Sequence, residues 1–412
     1  MDRMLTIDSA RLLRDLRQLA KVGATPDGGV SRMAFSDEDL EGRNWFQRKV
    51  TEAGLEYHID GAGNQSAIFH SDPPSRKRLL IGSHLDSVPN GGRYDGALGT
   101  LAAFEALRTL KDEDYRPPIT LEAINFSSEE NVVAALMGSR AAAGLLTAED
   151  FSTAALSEAA LRERLNSIGI SKDTMLDSAR DDVAAWVELH IEQGSRLEDA
   201  GTDIGVVNAI VGVRNAQVTF TGEAAHAGTQ PLEKRRDALW GSSHFILRAR
   251  YLVMRQFTPG VVNIGTISVD RGAMNIVPGR VDLTLEFRHG TSDQLDQMQS
   301  ELRTLIDETA AEFGLEATYR PKPHIPPATL DERVMAAIES ACDTCQLTHQ
   351  RMLSFAGHDT QSMAHIAPSG MFFVPSATGI SHHHQEFTTD QDCINGGNVI
   401  LQSILALVDA FG

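Results

Sequence analysis

Apolar positions recur at helical spacing over residues 8–22 and again over 37–53. Short alternating or apolar runs around 55–59, 66–70 and 78–83 read as strands. The stretch ALGTLAAFEALRTL, residues 97–110, predicts a helix, and Pro117-Pro118 then precedes the strand-like ITLEAINFS. Small and apolar residues around 132–145 predict a further helix. VAAWVELH, residues 183–190, reads as a strand or a helix that delivers His190. Strands alternating with helices predict an α/β domain with a largely parallel sheet.

The middle of the chain has another rhythm. VRNAQVTFT (213–221) alternates as a strand does, and a long helical pattern follows Pro231 to about residue 256. Two strand-like stretches come next, VVNIGTISV and GRVDLTLEFRH, then a helix over about 292–314 and the strand LEATYR. The order is βαββαβ, the split unit of a ferredoxin-like layer. Pro321, Pro323, Pro326 and Pro327 punctuate its end. A helical pattern over 329–346 and the strand-like SGMFFVPSA then resume the first style. The expected organisation is a catalytic α/β domain in two pieces, 1–211 and 327–412, with an α+β domain inserted at 212–326.

A chain of 412 residues is too long for one ordinary core, in keeping with two domains. The formal net charge of −19 repels phosphate backbones, so nucleic acid is excluded as an expected partner. No run approaches the roughly 18 apolar residues of a membrane span. The N-terminal stretch is a charged amphipathic helix without a signal-peptide core, and a cytoplasmic location is expected. Three cysteines make no disulfide framework. Cys342 and Cys345 spell C-x-x-C inside a helical pattern and read as helix residues rather than a redox or zinc pair.

Four clusters carry candidate chemistry. GSHLDSVPNGGRYDG, residues 82–96, holds His84, Asp86 and Asp95. On an extended segment His84 and Asp86 share a face, so Asp86 can accept from the second imidazole nitrogen. Alone, this cluster reads equally as a polar turn with an N-cap aspartate. Ser127-Ser128-Glu129-Glu130 ends an apolar strand, where open α/β sheets place their sites. Two adjacent buried carboxylates need a cation or a proton, although a solvated acidic turn has the same spelling. His190 follows an apolar run in ELHIEQG, and His382, His383 and His384 follow another. An isolated histidine of this kind more often has a structural role, and at most one or two of three consecutive histidines can face one site. Jointly, imidazoles and carboxylates at strand ends suit zinc, and also manganese, cobalt or nickel. A bridging aspartate with two imidazoles and a glutamate suggests two ions about 3.5–4 Å apart that share a water.

The order GSHLDSVPNGGRYDG, SEE, ELHIEQG, AHAGT, NIVPGR, FRH and GISH resembles the dinuclear-metal amidohydrolases. That group includes N-carbamoyl-L-amino-acid hydrolase, β-ureidopropionase and allantoate amidohydrolase, within the zinc aminopeptidase and aminoacylase superfamily. The likeness runs along nearly the whole chain. It implies a zinc-aminopeptidase-like catalytic domain with a mixed, largely parallel sheet, and two divalent metal ions per subunit. His84 and His190 would each hold one metal, Asp95 would bridge, and Glu130 and His382 would complete the second site. Glu129 would be the general base, and Asp86 would orient His84. In the inserted domain His226 would reach the scissile carbonyl across a dimer interface. Asn275 and Arg288 would hold the substrate carboxylate, with Gln193 and the backbone at Gly357 as further contacts.

The implied reaction is hydrolysis of a linear amide C–N bond in a small carboxylate-bearing substrate by a homodimer joined through the inserted domain. An N-carbamoyl-L-amino acid would give amino acid, carbon dioxide and ammonia. The alternatives are an allantoate or ureidoglycolate amidohydrolase, and a deacylase or deaminase of another carboxylate-bearing molecule. One departure from the family stands beside the base. Relatives read approximately G-x-R-F-G after the glutamate pair, whereas residues 131–137 here are the shorter, apolar NVVAALM.

Overall fold

Four runs dominated by apolar residues, Thr120–Phe126, Arg78–His84, Val183–Ile191 and Ser369–Val374, lie side by side and parallel in that order. Almost every residue in them is buried, as strands covered on both faces must be. The computed structural model describes residues 4–130, 132–153, 157–322 and 324–412, so Asn131 and Pro323 lie outside the described residues. Gln65–Phe69 and then Glu56–Ile59 extend the sheet antiparallel on one side, and Ile204–Ile210 extends it antiparallel on the other. The result is a mixed sheet with a parallel centre. Its four central strands end on one edge, and His84, Ser127, Ile191 and Val374 stand there or one residue beyond. Open α/β sheets bind ligands at that edge.

Helix Ala97–Asp112 returns the chain from the first of those strand ends and is buried along nearly its whole length. One helix, Asp390–Phe411, is long and apolar enough by length and composition to cross a membrane, contrary to the reading that no run approaches a span. Half of that stretch is buried, and it packs on helices Ala97–Asp112 and Glu332–Thr344, so it is a core helix. Cys342 and Cys345 are free; burial pushes the Cys342 thiol up to about 12, which leaves it an inert packing residue.

The helix expected over 132–145 is confined to Met137–Ala142. Before it, Ser128 and Leu136 take positive φ values of 54° and 55°, and the chain doubles back. The N–H groups of Leu136, Met137 and Gly138 donate to the carbonyls of Glu129, Ser128 and Ser127 at 3.1, 3.2 and 2.8 Å. The apolar residues that suggested a helix are met by packing instead. Val133, Ala134 and Met137 are buried with Phe35, Phe151 and Leu161.

The chain divides into two compact units, Met1–Asn208 with Leu330–Gly412, and Ala209–Thr329. In the second unit four antiparallel strands pair in the order Glu316–Pro321, Gly212–Thr221, Arg280–His289, Val261–Val269. Strand Arg280–His289 alternates cleanly: Val281, Leu283, Leu285 and Phe287 are buried, while Asp282, Thr284, Glu286 and Arg288 are half-buried. The buried set packs with Phe245 and Val253 of helix Ala238–Gln256 and with Leu295, Met298 and Leu302 of helix Ser292–Phe313. The elements thus follow one another as strand, helix, strand, strand, helix, strand.

In the first unit, two buried ion pairs that share Glu122 staple strand Thr120–Phe126. Glu122 accepts from Arg180 through both oxygens, at 2.8 and 2.9 Å, and from Arg78 at 2.8 Å. Burial works against the charge, but the two guanidinium groups hold the Glu122 carboxyl down at about 2. A depressed folded value contributes stability that is complete above the ordinary carboxylate value and lost as pH falls towards 2. A shift of this size is worth about 3 kcal/mol. We expect Glu122→Gln to lower stability by about that amount at neutral pH and to flatten the acid limb of the stability profile between about pH 4.5 and 2. Urea unfolding at a series of pH values checks both; an unchanged acid limb would refute the assignment.

Candidate metal centre

His84 is the last residue of its strand and is buried. Its Nδ1 lies 3.0 Å from the main-chain carbonyl of Asp86 and 3.8 Å from the nearer Asp86 carboxylate oxygen. A carbonyl only accepts, so the Nδ1 atom carries the proton and the Nε2 lone pair is free. The expected carboxylate contact is therefore replaced by a main-chain one. The strand ends at His84, and the period-two alternation that would have put Asp86 on the same face ends with it. The Asp86 carboxylate has other work. It accepts from the N–H of Glu129 and the N–H of Glu130, each at 3.2 Å, and so holds the glutamate pair by its backbone.

His190 repeats the pattern of His84. It is buried one residue before the end of strand Val183–Ile191, and its Nδ1 lies 2.9 Å from the carbonyl of Ile191. The Nε2 atoms of both histidines turn to one oxygen of Asp95, at 3.6 Å for His84 and 3.1 Å for His190. Asp95 does not cap helix Ala97–Asp112; Gly96 occupies the N-cap position, and no side chain caps the helix. Gly96 has φ 61°, and a Cβ there would run into the His84 imidazole. The glycine lets the histidine ring lie against the start of the helix.

The other oxygen of Asp95 faces His382, whose Nε2 is 3.5 Å away and is also 3.7 Å from a Glu130 oxygen. His383 and His384 turn elsewhere: the Nδ1 of His383 accepts from the Gln385 N–H at 3.2 Å, and His384 pairs with Asp27 at 3.3 Å. Glu129 presents an oxygen 3.8 Å from the His84 Nε2. Three donor sets result, His84 with Asp95 and His190, Asp95 with Glu130 and His382, and His84 with Glu129 and Glu130. Within each set the ligand atoms lie within 4.8 Å of one another. Ser128, Gln193 and His382 all take positive φ values, 54°, 57° and 53°. Strained non-glycine backbone of this kind collects at functional sites.

The donor set fits a divalent cation. Imidazole lone pairs and carboxylate oxygens face one another at 3.1 to 3.8 Å, and two acceptors at such distances need a positive charge between them. Burial lowers the charged form of His84, but Glu129 and Asp95 outweigh it and raise its affinity for a proton. Asp95 is driven the other way, far below the usual carboxylate range, because the bonds from His190 and His84 exceed the burial penalty. Burial pushes Glu129 well above that range, and burial with the Asp95 charge pushes Glu130 up to about 8. A divalent ion held by these residues would take the place of those protons.

The sequence profile of peptidase family M20/M25/M40 matches residues 80–406. The chain belongs to that family. It is 33% identical over 405 residues to the N-carbamoyl-L-amino acid amidohydrolase of Geobacillus stearothermophilus, covering 97% of this chain and 99% of the relative. It is 34% identical over 376 residues to the allantoate amidohydrolase of Bacillus subtilis, covering 90% and 91%. Among solved structures, an amidase of the hydantoinase/carbamoylase family from Burkholderia multivorans matches with a TM-score of 0.90 and 34% identity, over 98% of each chain.

This M20 chain brings Gln193 to the same centre. Its Nε2 donates to the His382 side of Asp95 at 2.9 Å, and its buried Oε1 has no hydrogen-bond partner among the described residues. Gly357 is exposed, and a Cβ there would meet only Gln361, at an ordinary 3.6 Å. The protein's own packing thus does not demand glycine at 357. His358 packs its ring 4.5 Å from that of His190 and reaches Ser354 at 3.0 Å. His226, Asn275 and Arg288 lie in the inserted unit. There Ile276 pairs with His226, and the Ala227 N–H donates to the Asn275 carbonyl at 2.9 Å, so His226 and Asn275 are held together. The N–H groups of Gly228 and Thr229 donate to His226 Nδ1 at 3.1 and 3.2 Å, leaving its Nε2 as a donor. Arg288 is held by Glu286 at 2.8 Å.

Two residues escaped the reading of the sequence. Glu188 is fully buried beneath the centre, where it accepts from Ser83 at 2.8 Å and from the Thr360 N–H and hydroxyl at 2.9 and 2.7 Å. Glu386 accepts from the Asp95 N–H at 3.2 Å. The available signal for Glu386 was its place four residues after His382.

Gly96 supplies a test of the centre. Gly96→Ala is expected to cost about 1–2 kcal/mol through its positive φ and, through the His84 clash, to lower bound zinc or manganese. Gly201→Ala is the control, since Gly201 has the same φ of 61° and nothing within 4 Å of a Cβ. It should lose similar stability and keep its metal. Elemental analysis and thermal melts on both variants read the difference; equal metal contents would contradict the assigned role of Gly96.

Proposed function

We propose that this chain hydrolyses N-carbamoyl-L-amino acids to the amino acid, carbon dioxide and ammonia. Hydrolysis of a non-peptide amide C–N bond is the chemistry of its relatives and its own. The observation that carries the proposal is the placement of Asp95 between two donor sets, with Glu129 beside one of them. In this reading one ion is held by His84, His190 and Asp95, and a second by Asp95, Glu130 and His382. Zinc suits the donors, as do manganese, cobalt and nickel. When bound, the ions lower the pKa of water towards neutrality and polarise the scissile carbonyl.

Glu129 takes a proton from the attacking water and delivers it to the leaving nitrogen. Its backbone N–H is held by the Asp86 carboxylate. The free Oε1 of Gln193 offers an acceptor for a ureido N–H. The inserted unit's His226 offers an Nε2–H donor for the developing oxyanion, a contribution of about 3 kcal/mol in comparable sites. Asn275 and Arg288 are proposed to hold the substrate carboxylate, Arg288 by bidentate pairing. Across the carbamoyl group one water is consumed, and the carbamate released with the amino acid breaks down to carbon dioxide and ammonia.

An allantoate or ureidoglycolate substrate is the second reading. The 34% identity to the allantoate enzyme of Bacillus subtilis favours it as strongly as the 33% identity to the carbamoyl enzyme favours the first. A panel assay of ammonia release over carbamoyl amino acids, allantoate, ureidoglycolate and acyl amino acids separates them. On the preferred substrate, Glu129→Gln should cut kcat by at least about a thousandfold while metal content stays near that of the parent. Substantial turnover in that variant would remove Glu129 from its role.

We further infer that the inserted unit is a ferredoxin-like lid and dimerisation domain, and that the protein is a homodimer. Trp240, Leu247, Tyr251 and Met254 are exposed on helix Ala238–Gln256 at spacings that line one face. Val261 and Ile267 are exposed on Val261–Val269, the edge strand of the unit's sheet. Exposed apolar residues beside an unpaired strand edge favour self-association. Leu247→Asp combined with Tyr251→Asp should convert the dimer to a monomer by light scattering; a monomeric parent would end the proposal.

A further inference from the structure

Glu386 is nearly fully buried in the catalytic unit, at 2% exposure, yet no lysine or arginine pairs with it among the described contacts. Its two carboxylate oxygens are used separately. One accepts from the Asp95 N–H at 3.2 Å, and the other accepts from the Ser381 hydroxyl at 2.8 Å. Its own N–H donates to the His383 carbonyl at 3.0 Å and closes the turn that carries the histidines. A Cβ at Gly92 would run into the same carboxylate, so the glycine turn before Asp95 is shaped around Glu386. The neighbouring Phe387 packs edge-on against Tyr94, with ring centroids 6.0 Å apart. These contacts join two segments nearly 300 residues apart in sequence: the turn leading to Asp95 and the loop bearing His382.

The loop needs such a tie. His382 has positive φ, and its side chain is 52% exposed, whereas His84 and His190 are each held in the sheet and buried. An exposed residue on a strained loop keeps its orientation only if its neighbours are fixed. Ser381, directly before it, is fixed by Glu386. Asp95 has to hold one oxygen towards His84 and His190 and the other towards His382. A pinned N–H on that residue limits how far the carboxylate can turn.

We propose that Glu386 is a positioning residue that sets the spacing between Asp95 and His382 by bonding the backbone of one and the neighbour of the other. The proposal rests on the metal reading given above. Loss of Glu386 opens the His382 side of the centre and leaves the His84 and His190 side in place. Partners that orient metal ligands typically change affinity by about 10- to 100-fold when removed.

The test uses the full chain and zinc alone. For Glu386→Ala, chelator competition should show one of two zinc sites weakened by about 10- to 100-fold and the other within about threefold of the parent. Hydrogen exchange should quicken in peptides covering 92–96 and 379–387. Glu386→Gln can accept from the Asp95 N–H and donate to Ser381, so it should keep both sites within about threefold. Parent-like zinc affinity and exchange in Glu386→Ala would overturn the proposal, as would a Glu386→Gln variant as weak as Glu386→Ala. If Glu386→Ala does not fold, Ser381→Ala decides, because it removes one of the two bonds at a partly exposed position. It should weaken the same zinc site and quicken exchange in the loop, and an unchanged site would reject the tie. If the parent binds no zinc, the metal reading fails, and the exchange data alone decide whether Glu386 joins the two loops.

Discussion

Two imidazole lone pairs aimed at one carboxylate oxygen define this molecule. Main-chain carbonyls hold a proton on the far nitrogen of His84 and of His190, which turns each near nitrogen to Asp95, where it shares a proton or a cation. What faces Asp95 is therefore a set of acceptors, buried and at 3.1 to 3.6 Å. Such an arrangement is repulsive until a positive charge enters it. The carboxylates of Glu129 and Glu130 add to the demand. The cluster requires a proton or a cation between its members, and contacts elsewhere in the unit keep them together.

The parallel sheet does most of that work. Strands Arg78–His84 and Val183–Ile191 are parallel neighbours, paired from Leu79 with Ala185 to Gly82 with Glu188 after one irregularity, so their ends deliver two histidines to one place without any loop having to choose a conformation. The glutamate pair and His382 come from loops and need clamps. For the glutamates the clamp is the Asp86 carboxylate together with three backbone bonds, from the N–H groups of Leu136, Met137 and Gly138 to the carbonyls of Glu129, Ser128 and Ser127. For His382 and Asp95 it is Glu386. The polar residues beneath serve the same end, with Glu188 bonding Ser83 beside His84 and Thr360 two residues after His358. Fully partnered buried polar groups of this kind rigidify the positions they connect.

The sequence displayed the ligand types but not the ties between them. Alone, His84 after an apolar run reads equally as a polar turn and His190 more often as a structural residue; only their joint occurrence with the carboxylate clusters at strand ends pointed to a site. The βαββαβ order of the inserted unit was legible directly: Arg280–His289 alternates strictly, and its helices have long apolar stripes. Asp86 misled, since period-two reasoning holds only while the strand continues and the strand stops two residues earlier. Glu386 offered only its place four residues after His382, and Glu188 no local signal at all. Their partners lie 291 and 105 residues away, and a buried glutamate bonded to a distant backbone N–H or hydroxyl has the same local spelling as a solvated one. The helix expected over 132–145 failed for a related reason, because apolar composition specifies burial and leaves the backbone path to tertiary contacts.

That last point bears on substrate choice. The apolar segment after Glu130 differs from the arginine- and aromatic-bearing form of the resembling family, and the difference divides into two parts. Val133, Ala134 and Met137 point into a core with Phe35, Phe151 and Leu161, so their apolarity answers to stability. Val132 and Leu136 are only half-buried and Ala135 is exposed, on a loop whose backbone is bonded directly to Glu129. Val132 packs against that same core, so among the described residues of the segment Leu136 and Ala135 are the side chains that can vary in size with least disturbance of the packed set. The fold thus separates the residues that hold Glu129 in place from those free to shape the space around it, and the second set can change without a change in the cluster of His84, Asp95, Glu130, His190 and His382.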